Sequence, residues 1–195
     1  MSIQAGLVER LGLACIIAAV LSGILQGVWE MSRPILTSDS TFAMASTAQR
    51  WGYGLLAVVK SAGFLAGLFG LYIAATRRGW LLKIFMGLAV MGGVFFAAVW
   101  LVMAANGRFT IVYVLGGMWY QMIAPVALGI AALYKRRAAW WIGVYAIIVG
   151  ILNSQIFMLF GPMMALIVQG VIWLILGYAV YTLSRAPHLS EAEVK

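Results

Sequence analysis

Lys60, Glu30 and four side-chain amides, Gln26, Gln121, Asn153 and Gln169, interrupt otherwise apolar stretches of this sequence. An ammonium among amides suits the binding of a small anion, a carboxylate or a lipid headgroup, since it supplies positive charge and several N–H donors together. Acid–base or nucleophilic catalysis by Lys60 would need a second positioned titratable group, and only Glu30 stands nearby. The one histidine, His188, lies in a polar tail, and Cys15 is the one cysteine. This excludes a Ser-His-Asp triad, a His-ligated metal, a bis-histidine haem and a cysteine cluster. The residues therefore point to binding or passage of a ligand, non-enzymatic, with no cofactor and no metal.

These residues must be held by membrane helices. Of 195 residues 65% are hydrophobic and 9% charged, and the mean hydropathy is +1.03. A soluble domain carries about 25% charged residues. A span needs about 20 apolar residues for a hydrocarbon core of about 30 Å. The runs here are long and lack period-2 alternation, so they read as helices rather than barrel strands. The expected fold is all-α: a single membrane domain, a six-transmembrane-helix bundle with short loops. Its spans fall near 8–29, 52–75, 80–104, 110–134, 139–160 and 162–183. Residues 30–51 form a longer external loop, in which Ser38, Asp39 and Ser40 are good N-caps for a short helix over Phe42–Ala45. Residues 184–195 form a cytoplasmic tail.

Nine basic residues (Arg10, Arg77, Arg78, Lys83, Lys135, Arg136, Arg137, Arg185, Lys195) fall on one side of these spans and three (Arg33, Arg50, Arg108) on the other. The positive-inside rule then gives an N-in, C-in topology. It also makes the net charge of +8 topogenic rather than a nucleic-acid footprint, so no nucleic acid is expected as a partner. Trp29, Trp51, Tyr53, Trp80, Tyr134, Trp140 and Trp141 occur where interfacial aromatic belts belong. Alanine- and glycine-rich spans suit a bacterial plasma (inner) membrane.

Within that frame the polar residues gather in the outer half of the bundle. Lys60 lies nine residues after Trp51, about 13 Å below the outer interface at 1.5 Å per residue. A central lysine costs about 2.5–3.5 kcal/mol to insert, so it is a functional hypothesis by default. Helical spacing sets Lys60, Gly63 and Gly67 on one face, which turns the ammonium into the bundle. Gly23 and Gly27 form a second small-residue pair, and the first two spans are expected to touch along these glycine faces. Tyr120 and Gln121 lie in the outer half of the fourth span. Pro125, four residues after Gln121, should free the carbonyl at 121. Glu30 is the expected counter-ion of Lys60. The expected function is an outward-facing polar cavity around Lys60, Glu30, Gln26, Gln121, Tyr120, Asn153 and Gln169 that binds or passes a small anionic or lipid-like ligand. The alternative is a structural or accessory subunit, packed against other membrane proteins or a second copy of itself, with no ligand of its own.

Overall fold

The computed structural model describes residues 3–36, 39–75, 80–108, 118–135 and 140–185; the side chains of 3, 39, 75, 118–120, 135 and 154–163 lie outside the described set. Every element among the described residues is helical, in the order α1 (Ile3–Ala19), π1 (Val20–Leu25), α2 (Gln26–Ser32), α3 (Asp39–Met44), α4 (Thr47–Ala75), α5 (Trp80–Asn106), π2 (Met118–Ile123), α6 (Ala124–Lys135) and α7 (Trp140–Leu183). Four helical stretches, Gln4–Ser32, Thr47–Ala74, Trp80–Asn106 and Met164–Leu183, are long and apolar enough to cross a membrane, as an integral membrane protein requires. Gln121–Tyr134 and Trp140–Asn153 are shorter apolar helices. Residues 110–117 of the expected fourth span, the cap candidate Ser38, the basic connections 76–79 and 136–139, and 186–195 of the expected tail lie outside the described residues.

Local chemistry explains the element ends. Pro34 has no N–H and pushes the residue before it out of the α region, so α2 stops at Ser32 and Arg33 takes φ −144° and ψ 80°. The short helix expected after Ser38 forms as α3. The second span begins earlier than expected, at Thr47 rather than 52, because Ser46 and Gln49 form a reciprocal capping box. Gln49 N donates to Ser46 Oγ at 3.2 Å and Ser46 N donates to Gln49 Oε1 at 2.9 Å. Gly107, at φ +66°, closes α5 in a left-handed turn, its N–H donating to Met103 O at 2.9 Å.

α7 is helical throughout its 44 residues, yet it is not one rod. Tyr145 Oη donates to Ile172 O at 2.9 Å, and Gln169 Nε2 donates to Asn153 Oδ1 at 3.1 Å. On a straight helix those pairs would stand roughly 40 and 24 Å apart. The chain therefore doubles back between Asn153 and Gln169, which sets an N-terminal arm (from Trp140) against a C-terminal arm (to Leu183).

Close backbone approaches set the neighbours. Gly63 lies on Ala14 and Ala18 of α1, and Gly67 on Cys15, so the α4 glycines do face the first helix. Gly23 and Gly27 do not face α4. They meet Gly170 and Ile167 of the C-terminal arm, because the last membrane helix also runs antiparallel to α1 and takes its other side. Side chains at Gly23 would strike the Gly170 backbone, where no rotamer change gives relief. Gly23→Leu is accordingly expected to destabilise the fold by about 1–3 kcal/mol, the usual overpacking range. Gly6→Leu, where a Cβ meets nothing within 4 Å, should be near neutral. Unfolding in mixed detergent micelles measures both.

Candidate functional site

α4 carries its core-facing residues at Tyr53, Ala57, Lys60 and Phe64, one buried stripe at helical spacing. Lys60 is 13 residues from Thr47 and 15 from Ala75, so it sits at the middle of α4. Only 6% of its surface is exposed. Its Nζ donates to Gln169 Oε1 at 2.5 Å. Gln169, 1% exposed on the C-terminal arm of α7, passes both amide hydrogens onward. One goes to Gln121 Oε1 at 2.8 Å and the other to Asn153 Oδ1 at 3.1 Å. Asn153 Nδ2 in turn donates to the backbone carbonyl of Gln121 at 2.8 Å. Four of the sequence-predicted site residues, Lys60, Gln121, Asn153 and Gln169, thus meet in one buried network.

The backbone around this network is built to accept it. Pro125 cannot donate to the Gln121 carbonyl four residues earlier, and Asn153 supplies the missing donor. Gln121 itself lies in π2, and π-helical turns cluster where helices open toward functional groups. A second π segment, π1, crosses the bundle at the same level. The antiparallel register that sets Gly63 on Ala18 puts Ser22 and Gly23 opposite Lys60, and Gly170 beside Gln169 seats on Gly23.

Glu30 and Lys60 belong to separate clusters. Glu30, 0% exposed, accepts from Tyr53 Oη through Oε2, and from Ile35 N (2.7 Å) and Leu36 N (2.5 Å) through Oε1. It fastens α2, α4 and the turn after Pro34 together, two helical turns from Lys60. The expected Glu30–Lys60 pair is absent because these three donors occupy the carboxylate, while among the described residues the polar contact of Lys60 is Gln169. Gln26 is buried one turn below Glu30, and the α1–α4 register places it level with Ala57, between the two clusters. Tyr120's side chain lies outside the described residues.

Tyr53, read from sequence as an interfacial anchor, is instead buried and bonded to Glu30. Trp29, Trp51, Trp80, Tyr134, Trp140 and Trp141 are exposed, as belt residues should be. Two aromatic residues escaped the sequence reading. Phe64 lies 5.9 Å from the Lys60 ammonium and stacks on Trp173, with centroids 4.0 Å apart and planes 6° from parallel. They form an apolar floor one turn below Lys60 and Gln169. The buried Trp173 Nε1–H has no hydrogen-bond partner among the described residues. Aromatic residues at helical spacing look like ordinary core, so only the depth of Trp173, far from either interface, could have singled it out.

Among the described residues Lys60 makes one hydrogen bond, which leaves N–H donors of its three to spare. An ammonium with spare donors favours a further acceptor, most strongly an anion. The Glu30 clasp gives a separate expectation. Glu30→Ala leaves three donors unanswered, at about 1–3 kcal/mol for each one that stays buried. The turn should loosen, with amide hydrogen exchange at Ile35 and Leu36 several-fold faster than in the wild type. Compared with known proteins, the chain matches no family model, no curated protein and no solved structure.

Proposed function

We propose that this protein binds or passes a small anionic or amphiphilic ligand at Lys60, as a six-span protein of a bacterial inner membrane with both termini in the cytoplasm. The carrying observation is the Lys60 ammonium itself. It is buried at the middle of α4 and, among the described residues, it donates once, to a neutral amide. A buried cation without a counter-charge attracts one, and the low dielectric strengthens that attraction. The fold-back of α7 supports six spans, since its two arms lie side by side like the other antiparallel neighbours. The basic connections support that orientation. With it the Glu30–Tyr53 clasp faces outward, and access to Lys60 runs past Glu30 and Gln26 when the clasp opens.

The alternative, a structural or accessory subunit, draws on the hydrogen bonds of Gln169 and Asn153 to each other and to Gln121, which knit helices together as amides do in membrane bundles. Thermal unfolding of the purified protein in rising acetate, chloride and phosphate separates the readings. A site ligand stabilises by RT ln(1 + [L]/Kd), about 2.7 kcal/mol at a hundred times Kd. Saturable stabilisation by one of these anions, at constant ionic strength, is the expected result. No anion effect, together with a stoichiometric partner protein in the gently extracted sample, would establish the accessory reading instead.

A further inference from the structure

The two helices that hold Gln121 and Asn153 also shape a second feature on their other side. α6, the N-terminal arm of α7 and the start of α5 enclose an open groove of 430 Å³, lined only by apolar residues, Phe85, Met122, Val126, Ile130, Gly150 and Ile151 among them. Its volume falls within the range of about 300–1,000 Å³ typical of small-molecule sites. Gly150 makes the groove deep, because it lets the arm rest on the Met122 carbonyl and Val126. One end abuts the polar network, since Met122 follows Gln121 and Ile151 precedes Asn153 by two residues. From Met122 to Ile130 it extends eight residues, roughly 12 Å. That is close to one leaflet's share, about 15 Å, of the hydrocarbon core.

The other end is marked by chemistry. Tyr134, one turn beyond Ile130 on the same face of α6, is exposed, as are Trp80, Trp140 and Lys83 at that end of the bundle. An apolar slot of one-leaflet length under an aromatic rim, with the exposed Lys83 beside it, is complementary to an acyl chain that bears an anionic headgroup. Inside a bilayer the groove has no water to displace, so a chain that fits it gains packing contacts that a poorly matched one lacks.

We propose that this groove is a binding site for one acyl chain of an anionic phospholipid, drawn from the leaflet on the basic side of the protein. The site is independent of whether Lys60 binds a ligand.

The test uses the full chain in nanodiscs containing a trace of phosphatidylglycerol with a photoactivatable diazirine in its acyl chain. After irradiation, labelled peptides are mapped by mass spectrometry, with diazirine-tailed phosphatidylcholine as the comparison. Labelling by phosphatidylglycerol should concentrate on residues 122–130 and 150–151, at least fivefold above the exposed α5 face around Met91, Val94 and Val102. Ala127→Phe, which fills the groove, should remove that excess. Ala98→Phe, equal bulk at an exposed position of α5, should leave it intact. Even labelling of all exposed faces would overturn the site. Equal labelling by both lipids would overturn the anionic assignment, and cross-linking of the groove to a second protein chain would overturn the lipid as its occupant. The mapping needs only the wild-type protein, so a poorly folding Ala127→Phe would not shield the proposal.

Discussion

Replacing Lys60 with methionine is expected to remove anion-dependent stabilisation while leaving the resting protein about as stable as the wild type. Two opposing effects set the second half of that result. The variant loses a charge-assisted bond to Gln169, worth about 1.5–3 kcal/mol. It also loses a buried ammonium whose insertion costs about 2.5–3.5 kcal/mol at mid-membrane. These nearly cancel, and methionine fills a similar volume above Phe64 without a polar atom that demands a partner. Binding has no such compensation. Truncating one partner of a buried charged pair costs about 2–5 kcal/mol. At 1.4 kcal/mol per factor of ten, affinity for the stabilising anion should fall at least about 30-fold. A keystone lysine with a purely structural task would behave the other way, with lower stability and no anion response in either protein.

The largest stability loss should come from Gln169→Leu. Gln169 is the hub of the network, since it accepts from Lys60 and donates to both Gln121 and Asn153. Leucine would strand the ammonium with no acceptor and leave two amide oxygens without their donor. Removing the partner of a buried charge costs about 3–5 kcal/mol. The double variant Lys60→Met/Gln169→Leu should recover much of this, because the stranded charge is gone. A double-mutant cycle in mixed micelles should therefore give a coupling of about 2 kcal/mol between the two sites. Additive losses would mean that the Lys60–Gln169 bond carries little of the energy.

These expectations rest on residues whose visibility in the sequence differed for physical reasons. Lys60, Gln121, Asn153 and Gln169 were conspicuous because an ionisable or amide group in an apolar run is costly and must be answered by a partner. Pro125 pointed to the carbonyl that Asn153 meets. The helical class followed from composition and from long apolar runs without period-2 alternation, and the cap at Ser46 is local chemistry. Glu30 and Tyr53 were mispaired because each stands near a helix end, where a carboxylate or an interfacial tyrosine is ordinary. Their bond depends on a turn, Ile35–Leu36, whose donors are backbone and carry no side-chain signal. Gly23 and Gly27 advertise close packing without naming the partner. The choice of the C-terminal arm over α4 is made by the bundle as a whole. π1 and π2 have no sequence signature to read.

Lysine nitrogen NMR tests the central claim most directly, because the chain has only four lysines, Lys60, Lys83, Lys135 and Lys195. With ¹⁵N-labelled lysine in a membrane mimetic, the signal absent from Lys60→Met identifies Lys60. If Lys60 is an ammonium that recruits an anion, its resonance should shift saturably as the stabilising anion is added, while the other three drift linearly with salt. A Lys60 resonance that stays fixed through the same titration would contradict the proposed site.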